Sequence, residues 1–187
     1  MHNPAFLITI DTEGDNLWQK HDSITTENAR YLPRFQQLCE KYGFKPVYLT
    51  NYEMAIDPFY IEFAKDVIAR GTSEIGMHLH AWNSPPTDPL TDDDWRHKPY
   101  LIEYSDAAMR EKVAYMTHLL EDTFQTKMVS HRAGRWALMS ATPACWWSMA
   151  IWLTARSRRG STGRRRKAPR RGRWYRLPSF PAACLFP

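Results

Sequence analysis

Residues 6–10 (FLITI) are all apolar or β-branched, and they run directly into three carboxylates, Asp11, Glu13 and Asp15. An unbroken run of this kind predicts a strand buried on both faces, as in a parallel sheet, delivering acids at its C-terminal end. Gly14 and Asn16 mark the turn that follows. Thr25 and Thr26 are candidate N-caps of a helix reaching about Tyr42, with Tyr31, Phe35, Leu38 and Tyr42 at the helical period and Gly43 as its stop. Pro33 interrupts that pattern and predicts a second helical segment beginning with a first-turn proline. Residues 44–50 (FKPVYLT) predict the second strand. Asp57-Pro58 caps a helix whose buried stripe is Phe59, Tyr60, Phe63, Ala64, Val67 and Ile68, and Gly71 ends it. Residues 74–79 predict the third strand. The Pro- and Asp-rich stretch 83–104 predicts a long loop, which in a compact domain is usually functional. Ser105 caps a helix with Met109, Val113, Met116, Leu120 and Phe124 inward, and residues 127–131 predict the fourth strand. The order β-α-β-α-β-α-β predicts one parallel sheet with right-handed crossovers.

Charge changes this picture at one end. The 187 residues are 43% hydrophobic and 24% charged, enough for one domain with a real core. Yet the last acid is Asp122, and 11 of the 25 Lys and Arg residues follow Leu138. Residues 1–138 carry 14 basic against 20 acidic groups, a net charge of −6, and the tail carries +11. The overall charge of +5 therefore belongs to the tail. After Leu138 the periodicity and turn grammar fail as well. One reading is a basic segment that binds nucleic acid non-specifically by counterion release. The other is a change of reading frame. With one nucleotide restored before Met139, residues 139–163 can be read as NERYARLLVEHGYLADCSVTPGVNW. That string has a helical stripe, a Gly stop and a strand, as a continuing α/β chain needs. The expected domain is 1–138, with 139–187 out of frame and irregular.

Other classes are disfavoured. Cys39, Cys145 and Cys184 are odd in number and lack metal spacing, which argues against a disulfide scaffold. No stretch approaches the roughly 18 apolar residues of a membrane span. No signal-type segment opens the chain, so a cytoplasmic location is expected.

Three stretches can carry chemistry. Asp11 and Glu13 are two apart and share a face if the first strand persists that far; the direction of Asp15 is open. The ordinary alternative is a solvated strand end with a helix cap. His78 and His80 are also two apart, at the end of the third strand. Two neutral imidazoles side by side suit a divalent metal such as Zn²⁺, the alternative being two histidines that bond to rim neighbours. Trp82 is either an apolar wall beside them or part of the core. In HRAGRW, residues 131–136, Arg132 follows a strand and can orient a carboxylate by a bidentate pair, or it is a surface arginine.

In this order IDTEGD, EIGMHLHAW and HRAGRW resemble the motifs of the polysaccharide deacetylase (NodB-homology) family of carbohydrate esterases, closest to its WalW-like polysaccharide-biosynthesis branch. The resemblance spans residues 6–138. It implies a distorted (β/α) barrel, truncated here to about four β/α units. It also implies hydrolysis of N- or O-acetyl groups from a sugar or polysaccharide precursor with a divalent metal, Zn²⁺ being the candidate. By position, Asp11 matches the general base, His78 the first metal histidine and Arg132 the arginine that orients the base. Two positions depart from the pattern. Thr12 stands where the second acid is usual, leaving Glu13 as the substitute ligand, and Trp82 stands where the second histidine is usual, leaving His80. Trp82, Asp15, Arg135 and Trp136 are the candidate substrate contacts. The family's later catalytic histidine, its general acid, has no match in this chain. A metal-free, carbohydrate-binding pseudoenzyme is the alternative function, and nucleic-acid binding through the tail a second.

Overall fold

A computed structural model describes residues 6–19, 23–136 and 152–153 of the chain. Strands β1 (Thr9–Thr12), β2 (Val47–Thr50), β3 (Glu74–Leu79) and β4 (Ser130–Ala133) lie side by side in sequence order, every neighbouring pair parallel. A two-residue strand β5 (Trp152–Leu153) extends the order by pairing with β4 at Ser130 and His131. Helices α1 (Leu32–Lys41), α2 (Tyr52–Ala55), α3 (Pro58–Ala69), α4 (Asp94–His97) and α5 (Asp106–Phe124) occupy the connections. The change of reading frame expected for residues 139–187 concerns residues outside the described ones, save the β5 backbone.

The two faces of the sheet differ sharply. Tyr48, Ile75, Met77 and Leu79 point to the helical side, where they pack with Tyr60, Val67, Val113, Met116 and Leu120 of α3 and α5 in the main core. The other face carries, in register, Asp11 beside Leu49 beside Gly76, and His78 beside Arg132. Strand neighbours are about 4.8 Å apart, so β1 and β4 of a flat sheet would be separated by roughly 14 Å. Instead, side chains of Arg132 and Asp11 are in hydrogen-bond contact. The sheet is therefore curled, as half of a barrel is, and its polar face is concave. Gly76 permits the curl: a Cβ there would sit 2.1 Å from Ser130 Oγ and 2.8 Å from Leu49 Cδ2.

Element positions follow the sequence pattern with instructive shifts. Strand β3 has the expected bounds. Strand β1 begins three residues later than the apolar run, because its ladder can start only where β2 offers a partner, at Thr9 opposite Val47. Phe6 and Leu7 precede it and are exposed. At its other end the ladder continues to Thr12 opposite Thr50, which keeps Asp11 inside the strand. Strand β4 is displaced in the same sense. Ser105 and Asp57 cap α5 and α3 as expected, accepting from the backbone N–H of Ala108 at 3.2 Å and of Tyr60 at 2.7 Å.

The stripe expected for the first helical region is corrected. A 3₁₀ turn over Glu27–Tyr31 gives way to α1 with Pro33 in its first turn. The tighter turn rotates the faces. Tyr31, Leu38 and Tyr42 are 73%, 52% and 63% exposed, and Gln36 and Cys39 are buried instead. Gln36 tolerates burial because it is hydrogen-bonded: Tyr48 Oη donates to its Oε1 at 2.8 Å and its Nε2 donates to Glu40 at 2.7 Å. The expected loop 83–104 contains α4 and a 3₁₀ turn at Leu101–Glu103.

Candidate active site

The C-terminal ends of β1, β3 and β4 meet on the concave face. His78 and His80 share that face by strand parity, and Glu13, just past β1, reaches across β2 to both. Glu13 Oε2 lies 2.9 Å from His80 Nε2 and 3.4 Å from His78 Nε2, and the two imidazole Nε2 atoms are 3.0 Å apart. Each residue offers one ligand atom, and the three lie within 4.8 Å of one another. His78 and His80 are buried and Glu13 is 22% exposed, so among the three groups the carboxylate is the one that meets solvent in the described structure.

Protonation is set by neighbours. His78 Nδ1 is 2.8 Å from the Arg132 carbonyl oxygen, which can only accept. Nδ1 therefore carries the proton of the neutral ring and Nε2 presents its lone pair to the cluster. Burial opposes ionisation of Glu13, but its contacts with the His78 and His80 rings and the hydrogen bond from Trp18 outweigh it and hold the carboxyl far below the usual carboxylate range. The Trp18 indole N–H donates to Glu13 Oε1 at 2.7 Å. Burial lowers the pKa of His80 against the opposing pull of Glu13. An ionised carboxylate and neutral imidazoles are the forms in which these groups bind metal. Two imidazole nitrogens and a carboxylate oxygen fit a divalent ion such as Zn²⁺ with positions left for water or substrate. The fit is less complete at His80, whose Nδ1 has no hydrogen-bond partner among the described residues. Gly134 packs against that atom, and a Cβ there would sit 2.5 Å from it.

Beside the cluster, the Arg132 guanidinium donates to Asp11 Oδ1 and to Thr9 Oγ1, two residues that share the inward face of β1. One planar fork thus fixes the carboxylate and the strand that bears it. Trp82 is buried, with its ring centroid 4.3 Å from that of His80 and 5.3 Å from that of Trp18. It is a wall of the site, and it also lines a cavity of about 330 Å³ with Trp95, Tyr104, Asp88 and Asp92.

The fold thus gathers Asp11, Glu13, His78, His80, Trp82 and Arg132. Asp15 is exposed in the turn, its backbone N–H bonded to Thr25 O at 3.1 Å. Arg135 faces the 83–104 segment: its guanidinium lies 3.8 Å from the Tyr100 ring centroid and donates to Lys98 O. The side chain of Trp136 lies outside the described residues. His131 points to the helical side, where burial keeps its pKa well below the ordinary imidazole value. Sequence reasoning missed Trp18, Thr9, Asn28 and Glu53. Thr9 lies within the apolar run, and the partners that give Thr9 and Glu53 their roles, Arg132 and Gly14, are distant from them in the chain.

No protein-family model and no curated protein matches the chain. Among solved structures, it is similar to the wild-type form of a CE4 family pseudoenzyme from Bacillus anthracis, with TM-score 0.52 and 13% identity over 79% of this chain and 41% of that one. IcaB from Ammonifex degensii aligns with TM-score 0.49 and 15% identity, over 81% of this chain and 60% of that one. At such identity the likeness to the CE4 pseudoenzyme concerns the fold alone: the described part is a curled parallel half-barrel similar to part of that structure. The chain spans 41% of the length of the one and 60% of the other.

Proposed function

We propose that this chain carries the metal-binding and base-bearing half of a polysaccharide deacetylase of the WalW-like branch, a hydrolase of N- or O-acetyl groups on a sugar or polysaccharide precursor. The observation that carries the reading is the convergence of Glu13, His78 and His80 beside the Arg132–Asp11 pair. Glu13, His78 and His80 would hold the divalent metal, Zn²⁺ in our reading. When bound, it supplies Lewis acidity that polarises an acetyl carbonyl and acidifies water. Asp11 takes the proton from the attacking water, and Arg132 keeps the Asp11 carboxylate aimed at it. Trp82 excludes solvent on one side, and the aromatic and carboxylate lining of the adjoining cavity suits the faces and hydroxyls of a sugar. The leaving amine or alkoxide also needs a proton, and the family's donor for that step lies beyond β4. If residues 139–187 are read out of frame, as their composition argues, that donor is lost and activity is impaired. Sequencing the encoding DNA through codon 139 tests this: a frame with no better reading over the tail would remove the argument.

The test of the reading is acetate release from acetylated amino-sugar oligomers in the presence of Zn²⁺, by the chain with its reading frame restored. Asp11→Asn and His78→Ala are each expected to lower the rate by about 100-fold or more. Unchanged release in both would rule the assignment out. One observation favours a second reading, a binding protein without catalysis: Thr12 and Trp82 stand where the family usually places ligands, and the CE4 neighbour is itself a pseudoenzyme. Absence of stoichiometric metal together with absence of acetate release would select it.

A further inference from the structure

We propose that Glu53 is a positioning residue that holds the two ligand-bearing turns of the site in register, an inference that rests on the metal-centre reading above. Glu53 lies in α2, the short helix after β2, and is 6% exposed. It touches none of the three ligand groups. Its Oε1 accepts from the backbone N–H of Gly14 at 2.6 Å and from Asn51 Nδ2 at 3.2 Å, and its Oε2 accepts from Asn83 Nδ2.

These partners sit where they matter. Gly14 follows Glu13, and the peptide joining them is held at both ends. Its N–H goes to Glu53, and its carbonyl, Glu13 O, accepts from Asn28 Nδ2 at 2.8 Å. With that peptide plane held, and the preceding one held by the end of β1 through Asn51 N–H to Thr12 O, the direction of the Glu13 Cα–Cβ bond is set. Gly14 has no room for a side chain, since a Cβ would meet Ile24 Cγ2 at 2.6 Å and Thr25 O at 2.8 Å. At the other end, Asn83 closes the turn leaving β3, its backbone N–H bonded to His80 O at 3.1 Å. Asn51 is tied to the end of β1 by its own N–H to Thr12 O at 3.0 Å. One carboxyl group therefore links the turn that presents Glu13, the turn that leaves His80 and the strand between them.

The chemistry suits an acid. Each of these three partners is an N–H donor, and a carboxylate can accept on both oxygens, whereas an amide has one acceptor. The carboxyl is buried among neutral amides, a costly placement that those hydrogen bonds offset only in part. Outer partners of a ligand set typically alter metal affinity 10- to 100-fold when removed.

Zn²⁺ titration calorimetry on the full chain, paired with amide hydrogen exchange of the metal-free protein, tests the inference. Glu53→Ala is expected to weaken Zn²⁺ binding about tenfold or more and to strip exchange protection from the Gly14 amide. Glu53→Gln, after the Asn83 amide turns over to accept, should restore affinity to within about threefold. Val113→Ala, a core change in α5 remote from these bonds, should lower stability and leave Zn²⁺ affinity unchanged. Equal losses in Val113→Ala and Glu53→Ala, or retained affinity and Gly14 protection in Glu53→Ala, would overturn the proposal. If Glu53→Ala does not fold, Asn83→Ala, which removes only the Oε2 tie, must still weaken binding, and no loss there overturns it. If the unaltered chain binds no Zn²⁺, the metal-centre reading falls, and exchange at Gly14 still decides whether Glu53 positions the turn.

Discussion

Arg132 shows how much one side chain can settle. It comes from β4, yet its guanidinium grips two residues of β1, while its backbone carbonyl fixes the tautomer of His78 on β3. A lysine has the charge but not the fork, and cannot serve Asp11 and Thr9 together. In the chain with its reading frame restored, Arg132→Lys is therefore expected to leave the circular-dichroism spectrum unchanged and to lower kcat/KM for the proposed deacetylation by up to about 100-fold, the cost of a misplaced catalytic group. Glu53 offers a prediction in pH. Burial raises its pKa, against the hydrogen bond from Gly14, so the folded chain keeps this proton to higher pH than the unfolded chain, which titrates near 4.3. Its contribution to stability is therefore fully present below about pH 4.3 and is lost as pH rises through the folded pKa. Urea unfolding of the unaltered chain and of Glu53→Gln should give a stability difference that shifts against the unaltered chain across that window. A difference independent of pH would contradict burial as the cause.

Elements here are bounded by local chemistry and aimed by contacts between them. Asp57 caps α3 through Tyr60 N and also accepts from Thr26 Oγ1 at 2.8 Å, tying the segment before α1 to the start of α3. Asp57→Ala should cost about 1–2 kcal/mol in denaturant unfolding, the upper part of the range for a lost cap. Gly76 is the corresponding control point of the sheet. Any side chain there displaces Ser130 and Leu49 on the concave face. Gly76→Ala is expected to cost about 1–3 kcal/mol, as overpacking does. By moving β4 against β3 it should also loosen the Arg132–Asp11 pair. Lys112 shows an element holding a loop: buried in α5, it donates to Ser84 O at 3.0 Å, and its Nζ lies 5.0 Å from the Tyr104 ring centroid. The segment after Trp82 is thus anchored to the helical layer.

At the scale of the molecule, part of the exposed apolar surface comes from the segments around the first two strands. Phe6, Leu7, Tyr31, Leu38, Tyr42 and Phe44 are all exposed, and all lie just before β1, in the segment between β1 and β2, or just before β2. Among the described residues β1 has a strand partner on one side, β2, and none on the other. An open edge flanked by large apolar side chains is a site of self-association. Light scattering of the purified chain should show concentration-dependent association, reduced by the double change Leu38→Glu and Tyr42→Lys.

The local pattern determined much of this protein. The alternation of strands and helices, the caps at Asp57 and Ser105, the stops at Gly43 and Gly71 and the bounds of β3 were all legible, because each depends on backbone preferences and near neighbours. So was the pairing of His78 with His80 on one face, which needs only the two-residue period of a strand. The exposed face of α1 was not legible, because a 3₁₀ turn before Pro33 rotated it. The ends of β1 and β4 were not legible either, because a ladder stops where its partner stops. The assembly of the site lay furthest from the sequence. Glu13 meets His80 across 67 residues and Arg132 meets Asp11 across 121, and those contacts exist only because the sheet curls. Residue order supplied the acids, the imidazoles and the guanidinium; curvature, permitted at Gly76 and tied at Glu53, decided that they share one site.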